Sequence, residues 1–417
     1  MVRQHRVRFA VVAGLAAAIG ASCVKPASAK TPDVDKLLQA GNLAAAETTL
    51  QKHLKTDPKD DNARFGLGMV QFVRGVERLM QSLHKYGLRS HENFVPFLRL
   101  PAPRNVEPEE LSYKTMRGIF EALEADLKKA EATLAKIQSK DVKVPVHVGL
   151  IRFDFNGDGK AEDDETLWKV LEKLTRAGAI GEALASRFAI SFDRADVHWM
   201  RGYCHLLQAM TDFILAHDWK DSFERTAQLF FKAPDSPFAY LRRTREPDRR
   251  GGWDTERIAD AIAFIHLIRF KVVEPKRMKS ALAHLEAVIQ QSRECWKHAE
   301  AETDDDHEWI PNAKQSGVLP GMKLTPEMIA GWKEFLGEAD DILKGKKLVP
   351  HWRVKDGRGI NFRKVFTEPR EFDLVLWAQG SAAAPYLERG PMTKPEFWRR
   401  LMRTFRGNFI GFAIWIN

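Results

Sequence analysis

Residues Asp154 to Glu165, DFNGDGKAEDDE, place six carboxylates in twelve positions, with glycines at 157 and 159. Asp154, Asn156 and Asp158 alternate, so three side-chain oxygens converge when the chain curls. Gly159 permits the sharp bend that follows. A hard cation suits such a set: Ca²⁺ takes about six to eight oxygens at about 2.4 Å.

The stretch fits D-x-[DN]-x-[DN]-G-x₅-E at every specified position and resembles the twelve-residue loop of EF-hand proteins. The resemblance implies that Lys160 offers its main-chain carbonyl, that Glu162 acts through a water, and that Glu165 closes the set with both carboxylate oxygens. It stops at the loop. The entering segment KVPVHVGLIRF reads as extended rather than helical. Ala161 stands where paired hands carry a branched aliphatic, and no second matching loop occurs in the chain. The implied site is a lone structural Ca²⁺ on a strand–loop–helix unit, with Asp154, Asn156, Asp158, Lys160 and Glu165 as ligands. The competing reading is a solvated acidic turn whose Asp163 and Asp164 favour a helix N-terminus.

Other reactive residues carry less specific patterns. His198 and His205 lie seven apart on one helical face, with Gly202 between them and His217 beyond. They lack the tight spacing of a zinc site, and core histidines with a close helix contact at Gly202 are the simpler reading. Asp304, Asp305, Asp306, His307 and Glu308 precede Trp309 and Pro311, which anchor the run; it is either a solvated loop or a set of catalytic carboxylates. Ser381 lacks a G-x-S-x-G setting. No phosphate-binding glycine motif is present. All eleven tryptophans follow residue 167, as core side chains between helices or as the lining of a sugar groove.

The positioning elements read as mostly helical. Residues 31 to 86 contain AGNLAAAETTLQKHLKTDPKDDNARFGLGMVQF, which resembles a tetratricopeptide (TPR) repeat running into the next. Gly41 falls at the turn, Ala46 at the small contact position, Leu50 and Leu54 at apolar positions, and Pro58 at the end; Leu67 and Gly68 recur in the next unit. Gln71 replaces the tyrosine of that unit. About one and a half repeats of ~34 residues cannot bury their own apolar faces and must continue into other helices. A long amphipathic helix is predicted over Glu109–Gln138 after a proline-rich loop. Further helices are predicted over Asp163–Arg176, Gly181–Ala189, Ala195–Ala216, Asp221–Leu229, Thr255–Val272 and Pro275–Ala301, and from a Thr325 cap. Beyond residue 345, a hairpin around Asp356-Gly357, a strand FDLVLW, a helix capped by Thr393 and Glu396, and a buried NFIGFAIWIN tail are predicted. The expected fold is mainly α: a TPR-like helical-repeat body with a strand–loop–helix calcium site and a small C-terminal α+β cap. Its expected divisions are 1–29, 30–140, 141–345 and 346–417.

The first division reads as a secretory signal. Arg3, Arg6 and Arg8 precede an apolar run, and Ala27-Ser28-Ala29 forms a small-residue cleavage site. Cys23 follows Gly20-Ala21-Ser22, a poor match to a lipid-attachment box, so a lipid anchor there is the lesser alternative. No later segment has the length of a transmembrane span. Arg3, Arg6, Arg8 and Lys25 account for four of the +9 charge, and the remaining +5 gives no support to nucleic-acid binding. Cys204 and Cys295 then remain, as a disulfide or as two buried thiols. The chain reads as an exported (periplasmic or extracellular) calcium-binding scaffold for a protein or peptide. The rival is a hydrolase acting on a polymer through Asp304–Glu308, in which those carboxylates converge with others. Protein recovered from the exported fraction is expected to begin at or near Lys30 by intact mass; retention of Met1 to Ala29 would remove the export reading.

Overall fold

Side-chain caps start the first helices. Asp33 caps α1 (Val34–Gln39), Asn42 caps α2 (Leu43–Thr56), Asp60 caps α3 (Asp61–Lys85) and Ser112 caps α4 (Tyr113–Leu134) by accepting backbone N–H bonds. The computed structural model describes residues 30–90, 100, 102–175, 189–242, 255–317 and 324–415. The expected signal segment lies outside them, as does the helix expected over 181–189, except that Ala189 opens a strand. The architecture is mainly helical with small antiparallel sheets.

The helices after α4 are α5 (Leu167–Thr175), α6 (Arg194–Ala216), α7 (Lys220–Thr226), α8 (Thr255–His266), α9 (Pro275–Ala299), α10 (Pro326–Leu343), α11 (Phe362–Thr367), α12 (Leu374–Gln379), α13 (Pro395–Thr404) and α14 (Phe409–Trp415). Strand β1 (Val144–His147) pairs antiparallel with β2 (Ala189–Phe192), Val144 opposite Phe192. In the middle, β3 (His217–Asp218), β4 (Arg269–Val272) and β6 (Phe372–Asp373) form an antiparallel sheet in that order. β5 (Arg358–Ile360) pairs with β7 (Leu387–Arg389).

Close approach requires small residues in α3. A Cβ on Gly68 would lie 2.3 Å from Leu134 Cδ2 of α4, and one on Gly66 2.3 Å from Val34 Cγ2 of α1. α6 and α9 run antiparallel in a seven-residue register: His198 meets Gln291 at 2.8 Å, His205 meets His284 at 2.9 Å, and Asp212 meets Arg277 at 3.0 Å. α4 joins the same register through Arg117 to Glu274 at 2.8 Å, Glu124 to Arg277 at 2.7 Å and Glu131 to Arg201 at 2.9 Å.

One apolar core gathers side chains from Val34 to Phe231, and a second gathers them from Ala195 to Phe412. Trp199 and Trp309 pack against both. Trp296 and Trp332 are buried, whereas Trp352 is exposed. Cys204 and Cys295 are buried free thiols.

Several elements differ from expectation. α8 ends at His266, because Arg269–Val272 is drawn into the central sheet, where Phe270 stacks on Phe372. FDLVLW contributes strand only at Phe372–Asp373; the Asp373 carboxylate then accepts from Leu376 N–H and starts α12. The expected helix at 221–229 ends as α7 at Thr226, with a 3₁₀ turn after it. The hairpin is wide: Val349 pairs with Ile360 across the Asp356-Gly357 turn, while β5 takes β7 as its main partner. Thr393 does not cap α13; its hydroxyl accepts from Trp398 Nε1 at 2.9 Å. The tail is a half-buried helix, with Phe412 in the core and Ile410 69% exposed.

Gly68→Val should destabilise by about 1–3 kcal/mol through overpacking against Leu134. Denaturant unfolding measures it, and a neutral result would mean that α3 and α4 do not meet there.

Candidate metal centre

The acidic loop begins and ends on a pair of backbone bonds. Phe153 N–H donates to Glu165 O at 3.3 Å, and Leu167 N–H donates to Ile151 O at 2.9 Å. Between them the chain curls around Asp154. Its Oδ1 accepts from Gly157 N at 2.7 Å and Asp158 N at 3.1 Å, and its Oδ2 accepts from Gly159 N at 3.0 Å. Gly157 and Gly159 hold φ of +76° and +85°, a left-handed geometry that glycine adopts without strain. Asn156 Oδ1 accepts from Asp158 N at 2.9 Å, and Asp158 Oδ1 from Lys160 N at 2.8 Å. Asp158 and Lys160 are exposed.

Glu165 begins no α-helix directly. It closes a 3₁₀ turn (Asp163–Glu165) before α5, and its side chain turns inward. Oε1 accepts from Phe155 N at 2.9 Å and Oε2 from Glu162 N at 3.0 Å. Asp154, Asn156 and Asp158 are therefore brought together, while both Glu165 oxygens hold loop amides.

The loop is seated on the helical body. Phe153 and Phe155 stack at 4.6 Å between centroids and are buried. Glu77 Oε1 on α3 accepts from Asp154 N at 2.9 Å, and Gln81 Nε2 donates to Asp154 O at 2.8 Å. Burial, opposed by the Asp154 N–H bond and reinforced by the Asp154 and Glu165 charges, pushes the Glu77 carboxyl up to about 7. Burial also raises Glu165, with Asp154 and Asp164 adding to it.

A second acidic group forms where the two cores meet. Asp193 caps α6: its Oδ1 accepts from Ala195 N at 2.8 Å and Asp196 N at 3.3 Å, and Asp196 Oδ2 accepts from Asp193 N at 2.9 Å. Glu302 follows α9, and Glu308 lies in the run Asp304–Glu308. One oxygen each from Asp193, Glu302 and Glu308 lie within 4.8 Å of one another, as do those of Asp304, Asp306 and Glu308. Lys143 reaches Asp304 at 2.5 Å and Asp306 at 2.6 Å, which lowers Asp306. Burial first, then the neighbouring carboxylates, push Glu308 up to about 8 and Glu302 up to about 10. Asp196 is raised well above its usual range by burial and by Asp193.

Of the Asp304–Glu308 run, only Glu308 turns inward to meet Asp193 and Glu302; Asp304, Asp305 and His307 are exposed. Asp193, Asp196 and Glu302 carried no spacing signal, because Asp193 and Glu302 meet only after α6 and α9 pair. Asp193-x-x-Asp196 also reads as an ordinary helix start. A third set, His53, Asp57 and Asp60, joins α2 to the start of α3. No set of three such ligand atoms among the described residues includes a residue of the 154–165 loop. The histidines do not converge: His198 bonds Gln291, His205 bonds His284, and His217 bonds the Phe213 carbonyl at 2.7 Å. Their seven-residue spacing is the register of α6 on α9.

No known protein family, curated protein or solved structure matches the chain.

Glu77, Glu308 and Glu302 have folded-state values above the ordinary glutamate value. The folded chain then holds protons that the unfolded chain releases, so the associated stability is present at acid pH and lost as pH rises through the folded values. In chelator, Glu77→Gln should lose less stability than the wild type between about pH 5 and about pH 7, a range in which the buried His198 and His217 and the half-buried His284 and His298, all held below the ordinary imidazole value, act in the opposite sense in both chains. A difference between the two chains that stays constant over this window would place the Glu77 carboxyl in solvent.

Proposed function

We propose that the chain is an exported helical scaffold for a protein or peptide partner, with a structural Ca²⁺ in the loop at 154–165. The observation that carries the calcium reading is the curl of the loop around Asp154, against the buried Glu77 of α3. Asp154, Asn156, Asp158, the Lys160 carbonyl and Glu165 are the ligands in this reading, with Glu162 acting through a water. Such a ligand set supplies oxygens only, as a hard cation requires. Glu165 would exchange its bonds to the Phe155 and Glu162 amides for the ion. A cation would also relieve the repulsion among Asp154, Glu165 and Glu77, for which no described Lys or Arg makes an ion pair with the loop's inner acids.

The scaffold reading rests on the TPR resemblance of residues 31–86 and on the extended helical body that continues it. Fold class alone does not set function. The convergence of Glu308 with Asp193 and Glu302 favours a second reading, a hydrolase acting on a polymer. Against it, Asp196 and Glu308 are 1% and 3% exposed, which leaves a polymer little access to them.

Extracellular loops of this kind bind calcium with Kd of about 10⁻⁴ to 10⁻³ M. At about ten times Kd, linkage adds roughly 1.4 kcal/mol, a rise of at most a few degrees in Tm for a chain of this length. Thermal unfolding in a few millimolar CaCl₂ against chelator should therefore shift the wild type, and Asp158→Ala should remove the loop's share of the shift. Equal melting of wild type in calcium and chelator, with no calcium binding by calorimetry, would reduce the loop to an acidic turn.

A further inference from the structure

We propose that Asp193, Glu302 and Glu308, with Asp196 beside them, hold a hard divalent cation in a second site, separate from the loop at 154–165. Three ligand oxygens already lie within 4.8 Å of one another. They come from the N-terminus of α6, the segment after α9 and the Glu308 loop. An ion there would tie the start of one helix to the end of its antiparallel neighbour.

The independent observation is Asp196. Its side chain is 1% exposed, one oxygen accepts from Asp193 N–H, and Oδ1 has no hydrogen-bond partner. It touches the group through Asp193, from whose N–H it accepts, although its own oxygens are not among the three that converge. Glu302 Oε1 is likewise buried without a partner. An unpaired buried carboxylate oxygen is costly, and a cation is the ligand that several of them share.

No protein cation takes that place among the described residues. Lys143 is paired with Asp304 and Asp306, and no Lys or Arg makes an ion pair with Asp193, Asp196, Glu302 or Glu308. The donor set is all oxygen, which suits Ca²⁺, Mg²⁺ or Mn²⁺ over softer metals. The neighbouring Cys295 thiol does not convert it into a soft site, since burial and the same acids hold that thiol protonated. Glu302 also lines a cavity of about 350 Å³ with Asn312, Lys314 and Lys333, which brings solvent space to one member of the group. The competing arrangement is proton sharing, in which Asp193–Glu302 and Asp306–Glu308 each hold one proton between two carboxyls.

Equilibrium dialysis of the full chain at neutral pH against CaCl₂, MgCl₂ or MnCl₂, followed by elemental analysis, separates these arrangements. Asp158→Ala should keep one ion per chain, and Asp158→Ala combined with Glu308→Gln should lose it. Glu308→Gln alone should keep the loop ion. Glu302→Gln serves where Glu308→Gln does not fold, and the metal content of Asp158→Ala decides the matter without either. An Asp158→Ala chain that holds no ion overturns this proposal and leaves the loop reading standing. A single wild-type ion that survives Asp158→Ala but not Glu308→Gln supports it and overturns the loop reading. A Glu308→Gln chain with unchanged metal content and equal or higher Tm assigns the cluster to shared protons and overturns the proposal.

Discussion

The antiparallel pairing of α6 with α9 is the contact on which the other elements depend. Its polar rungs recur every seven residues, from His198–Gln291 through His205–His284 to Asp212–Arg277. α4 lies against the same pair in the same register through Arg117, Glu124 and Glu131. A seven-residue repeat keeps one stripe of each helix facing its neighbour over the whole length. The three α6–α9 rungs are partly or wholly buried, and each relies on a partner from the other helix. A register shift would therefore leave polar groups unpaired. The two apolar cores lie along this pair and meet at Trp199 and Trp309.

The same pairing concentrates negative charge. The N-terminus of α6 lies near the C-terminal end of α9, so the cap Asp193 meets Glu302, and the Glu308 loop closes over both. Caps favour acids at a helix start, and each acid is reasonable in its own segment. The assembled group is expensive because burial removes the water that would screen it. Lys143 compensates the outer acids and leaves the inner ones to protons or to an ion. The calcium-like loop presents the same problem on a smaller scale, with Glu77 pressed against Asp154 and Glu165.

Legibility in the sequence followed the range of the interaction. Local signals held. The cap at Thr325, the extended approach to Asp154 and the bend at Gly159 are encoded within a few residues. The close contact expected at Gly202 is not a tight one, since Gln291 Cβ lies 3.6 Å from where its Cβ would be, an ordinary van der Waals distance. Long-range competition was not readable. Arg269–Val272 continues a helical pattern yet joins two distant strands, and Thr393 gives its hydroxyl to Trp398 rather than to a helix end. The inner acids were least visible of all, since Asp193 and Glu302 share no local sequence.

Ala161 acquires a meaning from its neighbour. A Cβ on Gly41, at the turn between α1 and α2, would lie 2.3 Å from Ala161 Cβ. The place where paired hands set a branched side chain, and through it a second loop, is occupied here by a helix turn of the same chain. An ion in this loop would have no adjoining loop to communicate with. Its occupancy would follow a simple hyperbola in calcium concentration, without a threshold.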